Sequence, residues 1–195
     1  ATTEIYTLSL HDALPICLTT SAVMIALSTV LSMITLYRLP QGGALTPVSM
    51  LPVCMISVMY GVKWGMGTSL AYAFIQMMLE FSSVFTWGLS KTAIVVCFLF
   101  DYILAFSMLG LAGIFRSKGQ WGIAGGTAFA IFLRFVCHLI SGATVFSIWM
   151  PEEFTNPWVY ALVYCGSFML PELILTTIAT FVLTRVPIIQ KQMTV

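Results

Sequence analysis

Long stretches without a charged side chain restrict how this sequence can fold more than any other feature. The first of them, Leu18–Leu36, contains only apolar residues, Ser and Thr, and matches the roughly 20 residues that a membrane-spanning helix needs. Across the chain 59% of residues are hydrophobic and 8% are charged, whereas about 25% of a soluble domain is charged. The sequence therefore predicts an integral membrane protein, and it excludes both a soluble monomer and a disordered chain.

Net charge and cysteine spacing exclude two further classes. The formal net charge is +1, which gives no electrostatic footprint for a nucleic acid. The cysteines form no C-x-x-C pair, and buried free thiols behave as small apolar groups. They are Cys17, Cys54, Cys97, Cys137 and Cys165. We therefore expect no disulfide framework, no metal site and no cofactor.

Residues 1–16 differ in character from the rest of the chain. Glu4–Ile16 reads EIYTLSLHDALPI, which is polar, weakly periodic and followed abruptly by the first apolar run. It is similar to a string that arises when sequencing-adapter DNA is translated along with a gene; the alternative is a genuine cytoplasmic N-terminus. We expect residues 1–16 to be a non-native or disordered segment and residues 17–195 to form a single six-helix membrane domain.

Apolar runs separated by turn-forming residues divide the chain into six predicted helices. They are Leu18–Leu36, Val48–Tyr60, Met66–Leu79, Thr92–Phe115, Trp121–Met150 and Trp158–Val186. Cytoplasmic loops carry an excess of Lys and Arg. Lys63, Arg116, Lys118, Arg185 and Lys191 fall on one side, and Arg38 and Lys91 fall on the other. We therefore expect an all-α integral membrane protein with six transmembrane helices and both termini in the cytoplasm.

The motifs of nucleotide hydrolysis and of common hydrolases do not occur in the sequence. G-x-x-x-x-G-K-[ST], H-E-x-x-H and G-x-S-x-G are all missing, so the usual means of binding ATP phosphates, a catalytic zinc ion or an acyl group are missing too. No catalytic residue is predicted. A membrane enzyme or a scaffold is the less favoured alternative to a binding protein.

Ionisable residues in the fourth and fifth predicted spans carry the functional signal. Asp101 is in the middle of the fourth span, and Arg134 and His138 share one face of the fifth because they are four residues apart. A charge at this depth is costly and usually faces a cavity or a partner. One interpretation is a structural Asp101–Arg134 salt bridge with His138 bonded to a carbonyl. We favour pairing for Arg134 and a ligand site for Asp101 and His138.

Aromatic residues surround these groups in the spans and at their outer ends. They are Tyr102, Phe106, Phe146, Trp149, Trp158, Tyr160 and Tyr164. Trp149 and Trp158 are typical interfacial anchors, whereas Tyr160 and Tyr164 share one helix face. A buried acid, an imidazole and aromatic faces together suit a planar organic cation, because the acid supplies the counter-charge and the rings offer their negative face.

Seven short motifs, in order along the chain, resemble the thiamine-specific S component of energy-coupling factor (ECF) transporters. They are LPQGG (Leu39–Gly43), SMLPV (Ser49–Val53), YGVKWG (Tyr60–Gly65), DYILAFSMLGLAGIF (Asp101–Phe115), RFVCHLISG (Arg134–Gly142), PWVYALVY (Pro157–Tyr164) and MLPE (Met169–Glu172). The resemblance implies a six-helix protein of the prokaryotic plasma membrane. Such a protein captures thiamine from outside, and a transmembrane coupling subunit and two cytoplasmic ATPases then drive its uptake.

The resemblance also implies a set of ligand-binding residues. An acid followed by Tyr contacts the vitamin in the family, and here that pair is Asp101 and Tyr102. Further members of the implied site are His138, Phe146, Tyr160, Tyr164 and Cys165. The loop after the first helix, with Gln41, Gly42 and Gly43, would cover the bound ligand, a role that glycine permits.

The first helix of the family docks on the coupling subunit through small residues, which here are Ala22 and Ala26. One departure concerns Cys165, since the family commonly has Asn at that position. An amide donates and accepts hydrogen bonds, whereas a thiol does both weakly. An S component of the same fold for another small heterocyclic vitamin or precursor is therefore the second interpretation.

Overall fold

The computed structural model describes residues 10–187 and 189, apart from the side chains of residues 10–13 and of Gln41. Helices dominate this part of the chain. Their bounds are α1 Leu10–Met33, α2 Leu51–Tyr60, α3 Val62–Thr86, α4 Lys91–Cys97, α5 Ala105–Ser107, α6 Gly119–Thr144 and α7 Pro157–Leu183. Four stretches are long and apolar enough to cross a membrane, and a fifth helix, Leu51–Tyr60, is apolar but short. The all-α prediction is confirmed.

Each of the six predicted spans contains a helix, but several ends differ from the prediction. The third span was predicted to end at Leu79, whereas α3 continues to Thr86, so Glu80 lies inside a helix and not in a loop. The fifth was predicted to reach Met150, whereas α6 ends at Thr144 and a separate 3₁₀ turn follows. In the other direction, α1 begins at Leu10. Residues 10–16, which belong to the segment predicted to be non-native or disordered, are therefore helical.

The fourth helix, Lys91–Leu111, changes its hydrogen-bonding pattern along its length. It starts as α4, becomes a π-helix over Phe98–Leu104, returns to α-helix in α5 and ends in a 3₁₀ turn at Met108–Leu111. Wide π-helical turns are uncommon and are often found at functional sites. This one carries Asp101 and Tyr102, which are 9% and 8% exposed.

Loop 1, residues 34–50, connects α1 to α2 and forms a small hairpin. Its two strands, β1 (Tyr37–Arg38) and β2 (Ala44–Leu45), pair antiparallel. A 3₁₀ turn at Pro40–Gly42 closes the hairpin. Gly42 has a φ of +90°, a conformation that residues with a Cβ rarely adopt. The hairpin therefore depends on the glycine at this position.

Helices α1 and α3 are joined by a row of hydrogen bonds. The donors on α3 are spaced four residues apart, so they share one face of that helix. The bonds run from Trp64 Nε1 to Ser21 Oγ (2.8 Å), from the Thr68 hydroxyl to Ser21 Oγ (3.4 Å), from the Tyr72 hydroxyl to the Ser28 carbonyl (3.4 Å) and from Gln76 Nε2 to Ser32 Oγ (2.9 Å).

Helices α6 and α7 form the most extensive helix pair of the described structure. Gly142 of α6 permits the close approach, since a Cβ at this position would lie 3.0 Å from Cβ of Ala161 on α7. Because the two backbones are close, the Cys165 thiol of α7 lies 3.5 Å from the main-chain carbonyl of His138 on α6. This packing places His138 and Cys165, both predicted as site residues, on adjoining walls of one cavity.

Candidate ligand-binding site

A cavity of about 160 Å³ lies between α3, the fourth helix, α6 and α7, with loop 1 over it. Nearly all of the residues predicted for the site reach it. Asp101, Tyr102, His138, Phe146, Tyr160, Tyr164, Cys165 and Gly43 all line the cavity. The Gln41 side chain lies outside the described residues, so its predicted role stays a prediction.

The carboxylate of Asp101 is held by two side chains of α6. His138 Nδ1 lies 2.8 Å from Oδ1, and the Ser141 hydroxyl donates to Oδ2. The other ring nitrogen of His138 accepts a hydrogen bond from Arg134 Nε at 3.3 Å. Since Nε2 accepts, Nδ1 carries the proton and donates to Asp101, an assignment that rests on the bonding network. These two bonds fix the orientation of the acid.

Arg134 does not pair with Asp101 in the described structure, which contradicts the predicted salt bridge. Its guanidinium carbon lies 3.9 Å from the centre of the Phe106 ring, a cation–π contact. The alternative interpretation, in which His138 bonds a carbonyl, is wrong as well, because the imidazole binds Asp101. Both side chains face the fourth helix, but at different levels: His138 lies opposite Asp101, and Arg134, one turn earlier on α6, lies over Phe106, more than one turn further along the fourth helix.

Aromatic side chains form much of the cavity wall. Tyr160 and Tyr164 of α7 lie side by side, with ring centres 5.9 Å apart. Phe146 contacts Trp87 in an edge-to-face arrangement at 5.8 Å. Rings on several sides of a cavity suit a flat ligand, because ring faces and edges both offer favourable contacts. Trp87 was not predicted, since it follows α3 in a segment interpreted as an interhelical connection.

The tip of loop 1 is attached to α7 above the cavity. The Tyr164 hydroxyl donates to the Pro40 carbonyl and accepts from the Gly43 amide at 3.3 Å. A Cβ at Gly43 would lie 2.9 Å from the Phe168 ring and 3.0 Å from the Tyr164 oxygen. The loop can therefore lie this close to α7 only with glycine at this position.

A second attachment joins loop 1 to α3 at the mouth of the cavity. Arg38 Nη2 of β1 lies 3.5 Å from Glu80 Oε1, and both residues line the cavity. Glu80 follows the predicted end of the third span at Leu79, so this pair was missed. Exposed ion pairs of this kind contribute little to stability.

Glu172 is a buried carboxylate in the cavity wall that the site prediction also missed. It is 3% exposed, and its Oε1 accepts hydrogen bonds from Thr46 at 2.6 Å and from Ser49 at 3.0 Å. Its spacing of eight from Tyr164, about two helical turns, is a signal in the sequence that could have placed both residues on one face of α7. Gln76 of α3 lines the same cavity and was missed as well.

Ala22 and Ala26 lie on the exposed face of α1. Large apolar side chains share this face, among them Val23 and Val30, which are 60% and 56% exposed. The acidic loop residues Glu152 and Glu153 are also exposed and do not line the cavity. The described structure therefore separates a polar and aromatic cavity from an apolar outer surface.

A cavity with a fixed acid and aromatic walls, inside a bundle of apolar helices, is typical of a membrane protein that binds a small polar molecule. Residues 18–191 match the family described as Thiamine transporter protein (Thia_YuaJ). The chain belongs to this family, which confirms the resemblance inferred from the seven motifs.

Two relatives illustrate the match. The chain is 31% identical over 171 residues to thiamine transporter ThiT of Bacillus subtilis (strain 168), which covers 80% of this chain and 84% of the relative. The solved structure of ThiT from Listeria monocytogenes matches with a TM-score of 0.72 and 18% sequence identity, over 91% of this chain and 97% of that one. At this identity the second match concerns the fold alone.

Family membership and the apolar helices together make the chain a multi-pass protein of the cell membrane. The family is one of transporters, so the alternative of a membrane enzyme is wrong.

Proposed function

We propose that this chain is the thiamine-binding subunit, or S component, of an ECF transporter. The observation that carries the proposal is the Asp101 carboxylate, fixed by His138 and Ser141 inside a cavity with aromatic walls. Thiamine combines a thiazolium cation with an aminopyrimidine ring. The oriented carboxylate and the ring faces would bind the thiazolium cation. The polar groups of the cavity wall would form hydrogen bonds with the aminopyrimidine ring.

Each site residue has a role in this proposal. Asp101 is the counter-charge of the thiazolium, and Tyr102, Phe146 and Tyr160 enclose the flat rings. His138 holds Asp101 and presents its ring edge to the ligand. Tyr164 and Gly43 hold loop 1 closed over the bound vitamin, and the Gln41 backbone lies in the same turn.

The proposed topology has six transmembrane helices, with both termini in the cytoplasm and loop 1 outside. The excess of Lys and Arg between the spans on one side supports this orientation. Residues 17–195 then form one membrane domain, and residues 1–16 are a segment foreign to it. Resequencing the gene across the codons of residues 16–18 tests the last point.

The partners in this proposal are a transmembrane coupling subunit and two cytoplasmic ATPases. Ala22 and Ala26 would contact the coupling subunit, since small residues let two helices approach closely in a membrane. Their exposed position on α1 supports this assignment. The chain itself has no nucleotide-binding loop, so the ATPases would supply the energy.

Cys165 supports a second candidate, an S component of the same fold for another small heterocycle. The residue is 4% exposed and lines the cavity, but a thiol recognises a polar ring edge poorly. A titration of purified protein with thiamine, followed by tryptophan fluorescence and by calorimetry, tests both candidates. We expect saturable quenching, because Trp87 lines the cavity. No heat and no quenching with thiamine, but a response to another heterocyclic vitamin, would favour the second candidate.

A further inference from the structure

Glu172 is a carboxylate in the membrane-spanning part of α7, and nothing in the thiamine site proposed above uses it. An ionisable group at this depth needs a partner. Its hydrogen bonds come from loop 1, where Thr46 and Ser49 both donate to Oε1, and the Arg134 guanidinium of α6 adds an electrostatic attraction. Both hydroxyls are nearly as buried as the acid, at 6% and 5% exposed. Hydrogen bonding therefore joins the acid to loop 1, while Arg134 supplies the opposite charge.

The two hydroxyls flank a strained turn. Val48 has a φ of +51°, a value that is an outlier for a β-branched residue. Its amide donates to the Thr46 carbonyl at 2.9 Å, and its carbonyl accepts from Leu51 at 3.0 Å. Strained conformations persist only where surrounding contacts impose them. The bonds from Thr46 and Ser49 to Glu172, on either side of Val48, are such contacts.

Helix α7 thus holds loop 1 at two places. Tyr164 holds the tip through Pro40 and Gly43, and Glu172, eight residues later, holds the base. Eight residues correspond to about two turns, or roughly 12 Å along the helix. The tip bonds must open for a ligand to pass, while the base bonds are buried below them.

We propose that Glu172 is the positioning residue of loop 1: it anchors the base of the loop at Thr46 and Ser49, so that the tip closes over the cavity in one place. This inference rests on the proposed function for its effect on the ligand. It implies that loss of the anchor loosens the loop in the unliganded protein and shortens the time for which thiamine stays bound.

Hydrogen–deuterium exchange of the unliganded full chain tests the anchor without any ligand. We expect Glu172→Ala to accelerate amide exchange in residues 34–50 by about tenfold or more, as the loss of two hydrogen bonds to a charged acceptor would do. Glu172→Gln keeps an acceptor oxygen and should stay within about threefold of the parent. Thr180→Val is the control, since its buried hydroxyl bonds only within α7, to the Thr176 carbonyl.

The double variant Thr46→Val, Ser49→Ala removes the loop side of the anchor and keeps Glu172 in the cavity wall. We expect it to accelerate amide exchange in residues 34–50 as much as Glu172→Ala does. If Glu172→Ala does not fold, the double variant still tests the anchor. Unchanged exchange in folded Glu172→Ala or in the double variant would overturn the proposal. Equal acceleration by Thr180→Val would overturn it too, because the effect would then be general destabilisation.

Stopped-flow dissociation of thiamine is the second measurement. Both anchor variants should release thiamine about tenfold faster, and Glu172→Gln should release it at nearly the parental rate. If only Glu172→Ala is faster, the acid acts on the ligand directly and the anchor proposal fails. If the parent does not bind thiamine, the proposed function fails, while the exchange experiment still decides the role of Glu172.

Discussion

The imidazole of His138 and the carboxylate of Asp101 meet at 2.8 Å, across the contact between α6 and the π-helical turn of the fourth helix. Ser141, one turn beyond His138, bonds the other carboxylate oxygen. The acid is thus held by a neutral ring and a hydroxyl, neither of which cancels its charge. A cationic ligand would meet an anion whose orientation is already set, so little ordering is left to the binding step.

Replacing Asp101 tests the counter-charge. Asp101→Asn keeps the shape of the side chain but removes the charge that faces a desolvated cation, and we expect thiamine binding to weaken by about 2–5 kcal/mol. His138→Ala should also weaken binding, because Asp101 loses the group that orients it. Calorimetric titration measures both, with the exposed Glu152→Gln as the control. Parental affinity in Asp101→Asn and His138→Ala would show that the site is wrongly assigned.

The isolated chain should bind thiamine without pumping it. In the proposed function the partner ATPases supply the energy for uptake, so the isolated chain keeps only the binding step. Liposomes that contain only this protein should show saturable binding of radiolabelled thiamine and no accumulation above the external concentration. Uphill accumulation in these liposomes would contradict the assignment to a transporter that needs partner subunits.

Helix α1 should matter for transport and not for binding. Ala22→Leu with Ala26→Leu adds bulk on an exposed helix face where a partner helix would need close approach. We expect unchanged thiamine affinity in the isolated chain and a loss of uptake in cells that also express the coupling subunit and ATPases. Val30→Leu, on the same exposed face, is the matched control. Normal uptake by the double variant would remove these alanines from the interface.

Cys165 should be the weak point of ligand recognition. An aminopyrimidine offers ring-nitrogen acceptors and an amino donor, and Asn can pair with such an edge where a thiol cannot. We therefore expect Cys165→Asn to strengthen thiamine binding by about 0.5–1.5 kcal/mol, the usual net value of one hydrogen bond. Titration with a thiazolium fragment that lacks the pyrimidine is the control and should show no gain. A weaker thiamine affinity would indicate a site adapted to the thiol.

Gly43 should be intolerant of a side chain. The added methyl group of Gly43→Ala would press on the Phe168 ring and the Tyr164 hydroxyl, so the tip of loop 1 must shift outward. We expect thiamine binding to weaken by about 1–3 kcal/mol, the range of overpacked sites. Gly67→Ala is the control, because nothing lies within 4 Å of its new methyl group. Equal affinities of the two variants would mean that loop 1 closes without this contact.

Much of the fold follows from local patterns in the sequence. Apolar runs predicted all six helical regions, because a span must be apolar over its whole length. The π-helical turn at Phe98–Leu104 was not predictable, since it is a change of hydrogen-bond register that leaves the apolar pattern intact. The end of α3 was missed for a related reason: Glu80 was interpreted as the limit of a span, but it pairs with Arg38 from a distant hairpin.

A site residue was predictable from the sequence where its side chain differs in polarity from its neighbours along the chain. Asp101 and His138 stand out as polar groups inside apolar runs, and the aromatic residues follow by resemblance. Glu172 occurs in a motif that was recognised, yet its role depends on Thr46, which is 126 positions away in the chain. Such a pairing has no local signal. The same holds for Trp87 and Gln76, which reach the cavity only because the helices pack around it.

The hydrogen bonds between α1 and α3 have a mechanical consequence. Their four donors on α3 span about 18 Å, from Trp64 at one end to Gln76, which borders the cavity. A rotation of α1 about its axis by about 100°, the angle between successive residues, would break all of these hydrogen bonds at once. The bonds therefore favour movement of the two helices as a pair. We therefore expect a displacement of α1 to reach the cavity wall through the hydrogen bond between Ser32 and Gln76.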